Sequence, residues 1–440
     1  MNHASPCARF TIALMAAAAL ASVASAQPPV PPPANPAAPQ AGRGGGRPTV
    51  VSPEVLPDAR VVFRIYAPRA ESVTLNASDI PAPALSGGVT PPPSPPAQTP
   101  AATGATPAAP QTPRGPVFTK NEAGVWEATV GPIVPGAFRY VFQIDGVRTL
   151  DPVNTALSES NTANWSLFYV PGLDIQDVKD VPHGAVALVY YYSTVLKTTR
   201  RMHVYTPAGY ESGDKKYPVF YLLHGSGDSD DAWTSVGRAG FIIDNLVAAR
   251  QVPPMVIVMP AGHQPAPPAG ATPAAPASPP GAPPAINAFT REFVDDVVPY
   301  VERHYRLVPG RRNRAIAGLS MGGSQTLDIA FRHLDWFAYI GVFSSGASLG
   351  GGRGAGAGST QPPDWETSHK ANLDDAGLKK GTKLIWLSTD VDDRLIANTR
   401  TTVELLQKHG FGPVFKQSPG GHTWINWRDY LRDFATEIFR

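Results

Sequence analysis

The chain has 440 residues, and its 49 prolines and 41 glycines make up about a fifth of them, against a usual share of about 12%. Its formal net charge is +2, from 37 basic and 35 acidic residues, which excludes strong electrostatic steering to nucleic acid. No strict repeat and no second long apolar run occur, which excludes collagen, coiled-coil and multi-pass membrane architectures.

Of the 49 prolines, 29 fall in three tracts, 28–48, 81–116 and 264–285. They account for a charged fraction of 16% where about 25% is usual. Residues 1–26 read as a secretory leader. Arg9 precedes the uncharged run 10–20, and Ala24-Ser25-Ala26 suits cleavage before Gln27. The run is shorter than the roughly 20 apolar residues of a membrane span. The expectation is therefore a periplasmic or secreted protein with no span after cleavage. Cys7 is the sole cysteine and would leave with the leader, so the mature chain would have no disulfide, thiolate nucleophile or cysteine metal site.

Residues 27–50 form a Pro/Gly-rich linker, too poor in large apolar side chains to pack. From Val51 the texture changes to short β-branched or aromatic runs. Phe138, Tyr140, Phe142 and Ile144 alternate with Arg139, Val141, Gln143 and Asp145, which predicts a strand with one buried face. Asp145-Gly146 then predicts a tight turn. Several such strands over 51–170 predict a small all-β sandwich, with 81–116 as a disordered insertion between two of its strands.

After a connector at 171–182, strand and helix patterns alternate through 183–440. Segments 185–194, 201–206, 219–223, 255–259, 314–319, 339–343 and 383–387 read as strands. Segments 290–303, 395–409 (closed by Gly410) and 426–439 read as helices, with 414–417 strand-like before the last. This alternation predicts an α/β domain with a mainly parallel central sheet. The 264–285 tract is a surface insertion within it.

Gly318-Leu319-Ser320-Met321-Gly322 matches G-x-S-x-G between an apolar strand and a helical pattern. The two glycines allow the sharp turn that lifts a serine Oγ clear of a sheet edge. A serine hydroxyl needs a base, and the order Ser, acid, His leaves His333, His369, His409 and His422. His422 stands out because it lies on a glycine-rich loop between a strand and the last helix. The acid should follow the strand 383–387, where Asp390, Asp392 and Asp393 all qualify. Of the two N–H groups an oxyanion hole needs, one belongs to Met321, after the nucleophile. The other belongs to the loop Leu223-His224-Gly225-Ser226-Gly227, in which His224 is structural rather than a base.

Tyr221-Leu222-Leu223-His224-Gly225, Ala317-Gly318-Leu319-Ser320-Met321-Gly322-Gly323 and Gly420-Gly421-His422-Thr423-Trp424 together resemble the esterase D-like α/β-hydrolases, above all carbohydrate esterase family 1. The resemblance covers about residues 185–440. Residues 51–170, through Val51-Ser52-Pro53-Glu54-Val55 and the stretch from Asp145 to Pro152, are similar to the Ig-like (E-set) module that precedes such esterases. The resemblance implies Ser320 as nucleophile, His422 as general base, Asp393 as the acid, and Ser226 as the second oxyanion donor. The stretch 350–358 and the 264–285 tract fall in loops that shape the family's substrate cleft.

The expected function is a secreted serine esterase that removes feruloyl or acetyl groups from plant cell-wall polysaccharide. The route is ping-pong through an acyl-enzyme, without metal or organic cofactor. Its partner is the acylated polysaccharide or oligosaccharide, with oligomeric state not legible in the sequence. Trp233, Trp365, Trp424 and Trp427 are candidates to line an aromatic acyl or sugar site, with core packing the favoured role for Trp427 on the last helix. Two alternatives remain. One is hydrolysis of an enterochelin-type siderophore ester by the same residues, and the other is a non-catalytic glycan-binding protein.

Overall fold

Among the described residues, nine short strands occupy the first third of the fold. They are β1 (Glu54–Val55), β2 (Val61–Tyr66), β3 (Val73–Asn76), β4 (Thr119–Lys120), β5 (Val125–Val130), β6 (Gly136–Ile144), β7 (Val147–Thr149), β8 (Leu157–Glu159) and β9 (Asn164–Val170), with one helical turn, α1 (Ala82–Leu85), after β3. The computed structural model describes residues 48–85, 115–264, 286–347 and 365–440. The expected leader, nearly all of the 27–50 linker, most of the 81–116 and 264–285 insertions, and the stretch 350–358 lie outside the described residues.

The strands pair antiparallel into two sheets, ordered β1-β2-β5-β4 and β3-β6-β9-β8, with β7 folded back onto β6. Both contribute to one aromatic core in which Phe63, Phe138, Tyr140, Phe142 and Phe168 are buried. Asp145 and Gly146 form the two-residue turn, with φ of 49° and 81°, between the paired residues Ile144 and Val147. The other face of β6 differs from the expected solvated one. Ala137 packs into the core of the α/β region, Val141 is fully buried, and Arg139 is half-buried. The alternation on β6 therefore marks two covered faces, one apolar and one facing the rest of the molecule.

The remaining elements are β10 (Ala185–Ser193), β11 (Thr198–Thr206), β12 (Val219–Leu223), α2 (Ala239–Ala248), β13 (Val256–Pro260), α3 (Ala288–Glu292), α4 (Val298–His304), β14 (Arg314–Leu319), α5 (Met321–Arg332), β15 (Tyr339–Phe343), α6 (Trp365–Asp374), α7 (Ala376–Gly381), β16 (Leu384–Asp390), α8 (Ile396–Lys408), β17 (Val414–Ser418) and α9 (Trp424–Ala435). A π turn, Phe293–Val297, joins α3 to α4. The eight strands form one sheet ordered β10-β11-β13-β12-β14-β15-β16-β17. It is parallel from β13 to β17 and antiparallel at the β10-β11 edge.

Successive residues of β12 enter opposite cores: Val219, Tyr221 and Leu223 one, Phe220 and Leu222 the other. Both faces are covered by helices, and this is why the strand reads as a continuous apolar run. Helices α2, α6 and α7 have no counterpart in the sequence reading. For α2 the reason is visible, since its N-cap is Arg238 in the left-handed region with no side-chain cap to mark a start. The whole of Val50–Arg440 forms one compact unit. The turns after β12, β14, β16 and β17 open at the carboxyl end of the parallel strands, the usual place for a site in such sheets.

Candidate active site

Ser320 sits between β14 and α5 with φ 51° and ψ −115°, a left-handed conformation that residues other than glycine rarely adopt. The turn exists because its neighbours have no side chains. A Cβ on Gly318 would lie 2.4 Å from the Gly322 carbonyl, and one on Gly322 would lie 2.6 Å from the His224 carbonyl oxygen. The Ser320 amide donates to the Phe343 carbonyl at 2.8 Å, which ties the turn to the next strand.

Ser320, His422 and Asp393 come together from the ends of three strands. Ser320 Oγ lies 3.0 Å from His422 Nε2, and His422 Nδ1 lies 2.8 Å from Asp393 Oδ2. With Nδ1–H donating to the carboxylate, Nε2 presents its lone pair to the hydroxyl. Asp393 Oδ1 accepts from the Leu395 amide at 2.8 Å, so the carboxylate also fixes the chain entering α8. Burial alone would raise the Asp393 pKa. The hydrogen bonds from His422 and the Leu395 amide outweigh burial and hold it below the usual carboxylate value.

The other two acids are placed elsewhere. Asp392 is exposed. Asp390 is fully buried and accepts from Tyr430 at 2.7 Å and from Ser418 and Asn426. His369 lies on α6 and pairs with Asp328, while His409 pairs with Glu366 and Asp374.

Two further predicted residues flank Ser320. Met321 is the first residue of α5, where helix geometry leaves the backbone N–H without an intrahelical acceptor. Ser226 lines the same cleft on the loop after β12. His224 is buried, with Nδ1 2.8 Å from the Gly225 carbonyl and Nε2 accepting from the Gly262 amide at 2.8 Å. Burial pushes its pKa down. It is a neutral imidazole that spans two loops.

The cleft encloses about 420 Å³. Ser320, His422, Trp424, Trp427 and Arg394 are among the residues that line it. Trp427 meets the His422 ring edge to face at 4.9 Å and donates to Ser344 Oγ at 3.0 Å. Trp427, a cleft candidate for which the sequence favoured packing, therefore lines the cleft as well. The expectations for Trp233 and Trp365 are corrected. Trp233 is locked in the core with its indole N–H on the Leu223 carbonyl at 3.0 Å. Trp365 packs against Phe331 and His369 in the core on the far face of the sheet.

Part of the cleft lining was missed by sequence reasoning. Ser78, Asp79, Arg139, Ser160, Asn161, Thr162 and Trp165, all from the N-terminal sheets and their loops, line the cleft. Nothing local in the sequence points there, because Arg139 meets Asp79 and Asp228 across 60 and 89 positions of chain and Asn161 meets Ser226 across 65. Among the described residues no cluster of side chains suits a metal ion. None of the described helices is long and apolar enough to cross a membrane.

The family model for Esterase matches residues 193–437. Among curated proteins, the endo-1,4-beta-xylanase/feruloyl esterase of Xylanibacter ruminicola is 29% identical over 342 residues, 74% of this chain and 42% of that protein. Endo-1,4-beta-xylanase Y of Acetivibrio thermocellus is 25% identical over 270 residues, 56% of this chain and 22% of that one. The chain spans less than half the length of these relatives. Among solved structures, a CE1 ferulic acid esterase of Anaeromyces mucronatus superposes with a TM-score of 0.50 at 25% identity, covering 61% of this chain and 96% of that one. The enterobactin esterase of Shigella flexneri, 16% identical, shares the fold with a TM-score of 0.54 over 86% of this chain and 92% of that one.

Proposed function

The chain belongs to the Esterase family, of carbohydrate esterase family 1 type, and from that premise we propose that it is a secreted serine esterase that removes feruloyl or acetyl groups from plant cell-wall polysaccharide. The observation that carries this reading is the chain of hydrogen bonds, 3.0 and 2.8 Å, from Ser320 through His422 to Asp393 on a strained strand-to-helix turn.

Ser320 Oγ attacks the ester carbonyl as His422 Nε2 takes its proton. The negative charge on the carbonyl oxygen falls to the N–H groups of Met321 and Ser226, an arrangement whose individual donors are worth about 100- to 1,000-fold in kcat. His422 then protonates the leaving sugar oxygen, and the acyl group remains on Ser320. Water, deprotonated by His422, releases the acid and restores the serine. Asp393 holds the imidazole in its Nδ1–H tautomer and stabilises the imidazolium. The N-terminal strands are read in this proposal as the Ig-like module of such esterases.

The test is hydrolysis of methyl ferulate and p-nitrophenyl acetate, with Ser320→Ala as control. Ferulate turnover that disappears in the variant supports the cinnamoyl reading. Turnover of acetate alone supports deacetylation. A folded protein that turns over neither overturns simple ester hydrolysis.

A second reading, a siderophore esterase, has one observation in its favour. The fold likeness to the Shigella flexneri protein covers 86% of the chain, beyond the 61% shared with the ferulic acid esterase. Turnover of a catecholate triester in preference to methyl ferulate distinguishes it.

A further inference from the structure

Ser226, on the loop after β12 and proposed above as an oxyanion donor, is held in place from outside the family-matching residues 193–437. The N–H of Ser226 shares a planar trans peptide with the Gly225 carbonyl, so the two point in opposite directions. Fixing the carbonyl therefore aims the N–H. Two donors fix it: His224 Nδ1 at 2.8 Å and the Asp228 amide at 3.2 Å.

Asp228 is in turn gripped by the N-terminal sheets. Arg139 on β6 donates to Asp228 Oδ1 at 2.7 Å, and Ser160 forms an isolated antiparallel bridge with Asp228. Arg139 is itself held by Asp79, with contacts of 2.8 and 3.3 Å. Asn161, at the tip of the β8–β9 hairpin, donates to the Ser226 carbonyl at 3.1 Å, which restrains the other side of the same residue. The Glu159 amide reaches Asp231 at 2.8 Å, closing the attachment behind the tip.

Arg139 lines the cleft, but two carboxylates already neutralise it, so it is not presented as an anion receptor. Its geometry suits holding a loop. The Arg139 and Asp228 side chains are only 14% and 7% exposed, so solvent screens their ion pair little.

We propose that Arg139 and Asn161 are positioning residues of the ester-hydrolysing site: acting through Asp228 and Ser226, they hold the Gly225–Ser226 peptide so that its N–H meets the oxyanion. The N-terminal sheets are then part of the reaction machinery rather than a detachable accessory. This inference rests on the esterase reading above and on Ser226 as a donor within it.

The test uses the full chain and two esters of different size, p-nitrophenyl acetate and methyl ferulate. Asn161→Ala and Arg139→Ala should each lower kcat about tenfold on both esters, with KM within about twofold, because the oxyanion is common to both. Arg139→Lys, which keeps one bond to Asp228, should recover part of the loss. Asn161 is exposed, so Asn161→Ala should melt within a few degrees of the wild type and separates positioning from misfolding.

An active wild type whose variants keep their kcat overturns this inference alone. So does a fall confined to KM for the ferulate ester, because that makes this part of the lining a substrate contact. A folded wild type inactive on both esters overturns the esterase reading and this inference with it.

Discussion

Asp390 and Asp393 stand three residues apart at the end of β16, yet only Asp393 faces His422, at 2.8 Å. Asp390 turns inward to Tyr430, Ser418 and Asn426. The two substitutions should therefore separate kinetically. Asp393→Asn should lower kcat by about 10,000-fold, through loss of the correct imidazole tautomer. Asp390→Asn keeps an acceptor for its three donors and should stay within about tenfold of the wild type. Steady-state hydrolysis of p-nitrophenyl acetate checks both, and equal losses would overturn the assignment.

The same pair predicts opposite effects on stability. Asp393 is held below its usual value, so its contribution is present above about pH 4 and is lost as pH falls through the lowered value. Asp390 is raised, first by burial and also by the nearby Asp393 charge, against hydrogen bonds that lower it. Its folded state binds a proton more tightly than the unfolded chain. Its ionisation therefore costs stability as pH rises through the raised value. Asp390→Asn should raise the thermal midpoint relative to wild type at pH 7, and the gap should close towards pH 4. Asp393→Asn should lower the midpoint at pH 7. Melting curves at pH 4, 5, 6 and 7 test this, and a destabilised Asp390→Asn at pH 7 contradicts it.

Gly322 tests the close approach behind the nucleophile. A Cβ there would lie 2.6 Å from the His224 carbonyl oxygen, 2.7 Å from the Leu223 carbonyl oxygen and 2.8 Å from the Leu223 carbonyl carbon. All three are backbone atoms, so no side chain can swing aside. Gly322→Ala should cost about 1–3 kcal/mol, as overpacking does. It should also lower kcat, because the strain pushes the start of α5, which carries Met321, away from the loop that carries Ser226. Urea midpoints and kcat together measure it. An unchanged kcat in a destabilised variant would mean that the strain relaxes away from the site.

What was legible in the sequence follows from how local each constraint is. Ser320 needs glycines two residues either side, and His422 needs a loop between a strand and the last helix, so short windows reveal both. The acid was narrowed to three candidates, because which aspartate faces the imidazole depends on the turn after β16 and on the buried site that absorbs Asp390. Resemblance, not spacing, selected Asp393. Arg139 and Asn161 were invisible for the opposite reason. Their partners, Asp228 and Ser226, lie 89 and 65 positions away. The alternation on β6 also reads the same whether its second face meets water or another part of the chain. Tryptophans fall between these cases, since their ring size suits a core and a cleft equally.

Trp365 and Trp424 turn that ambiguity into a measurement. Trp365 stacks on His369 at 4.4 Å and meets Phe331 edge to face at 5.0 Å, in the core across the sheet from Trp424. Trp424 lines the cleft and stands edge to face between Trp233 at 5.0 Å and Trp427 at 5.2 Å. Trp427 in turn supports the His422 ring. Either Trp→Phe change removes buried ring atoms and should cost about 1–2 kcal/mol in urea unfolding. Only Trp424→Phe lets Trp427 settle and His422 drift from Ser320, and small misplacements of a base carry large kinetic penalties. Trp424→Phe should lower kcat/KM on methyl ferulate by about tenfold, while Trp365→Phe leaves it within about twofold. A selective kinetic loss in Trp365→Phe would restore that residue to the substrate site and contradict its place in the far core.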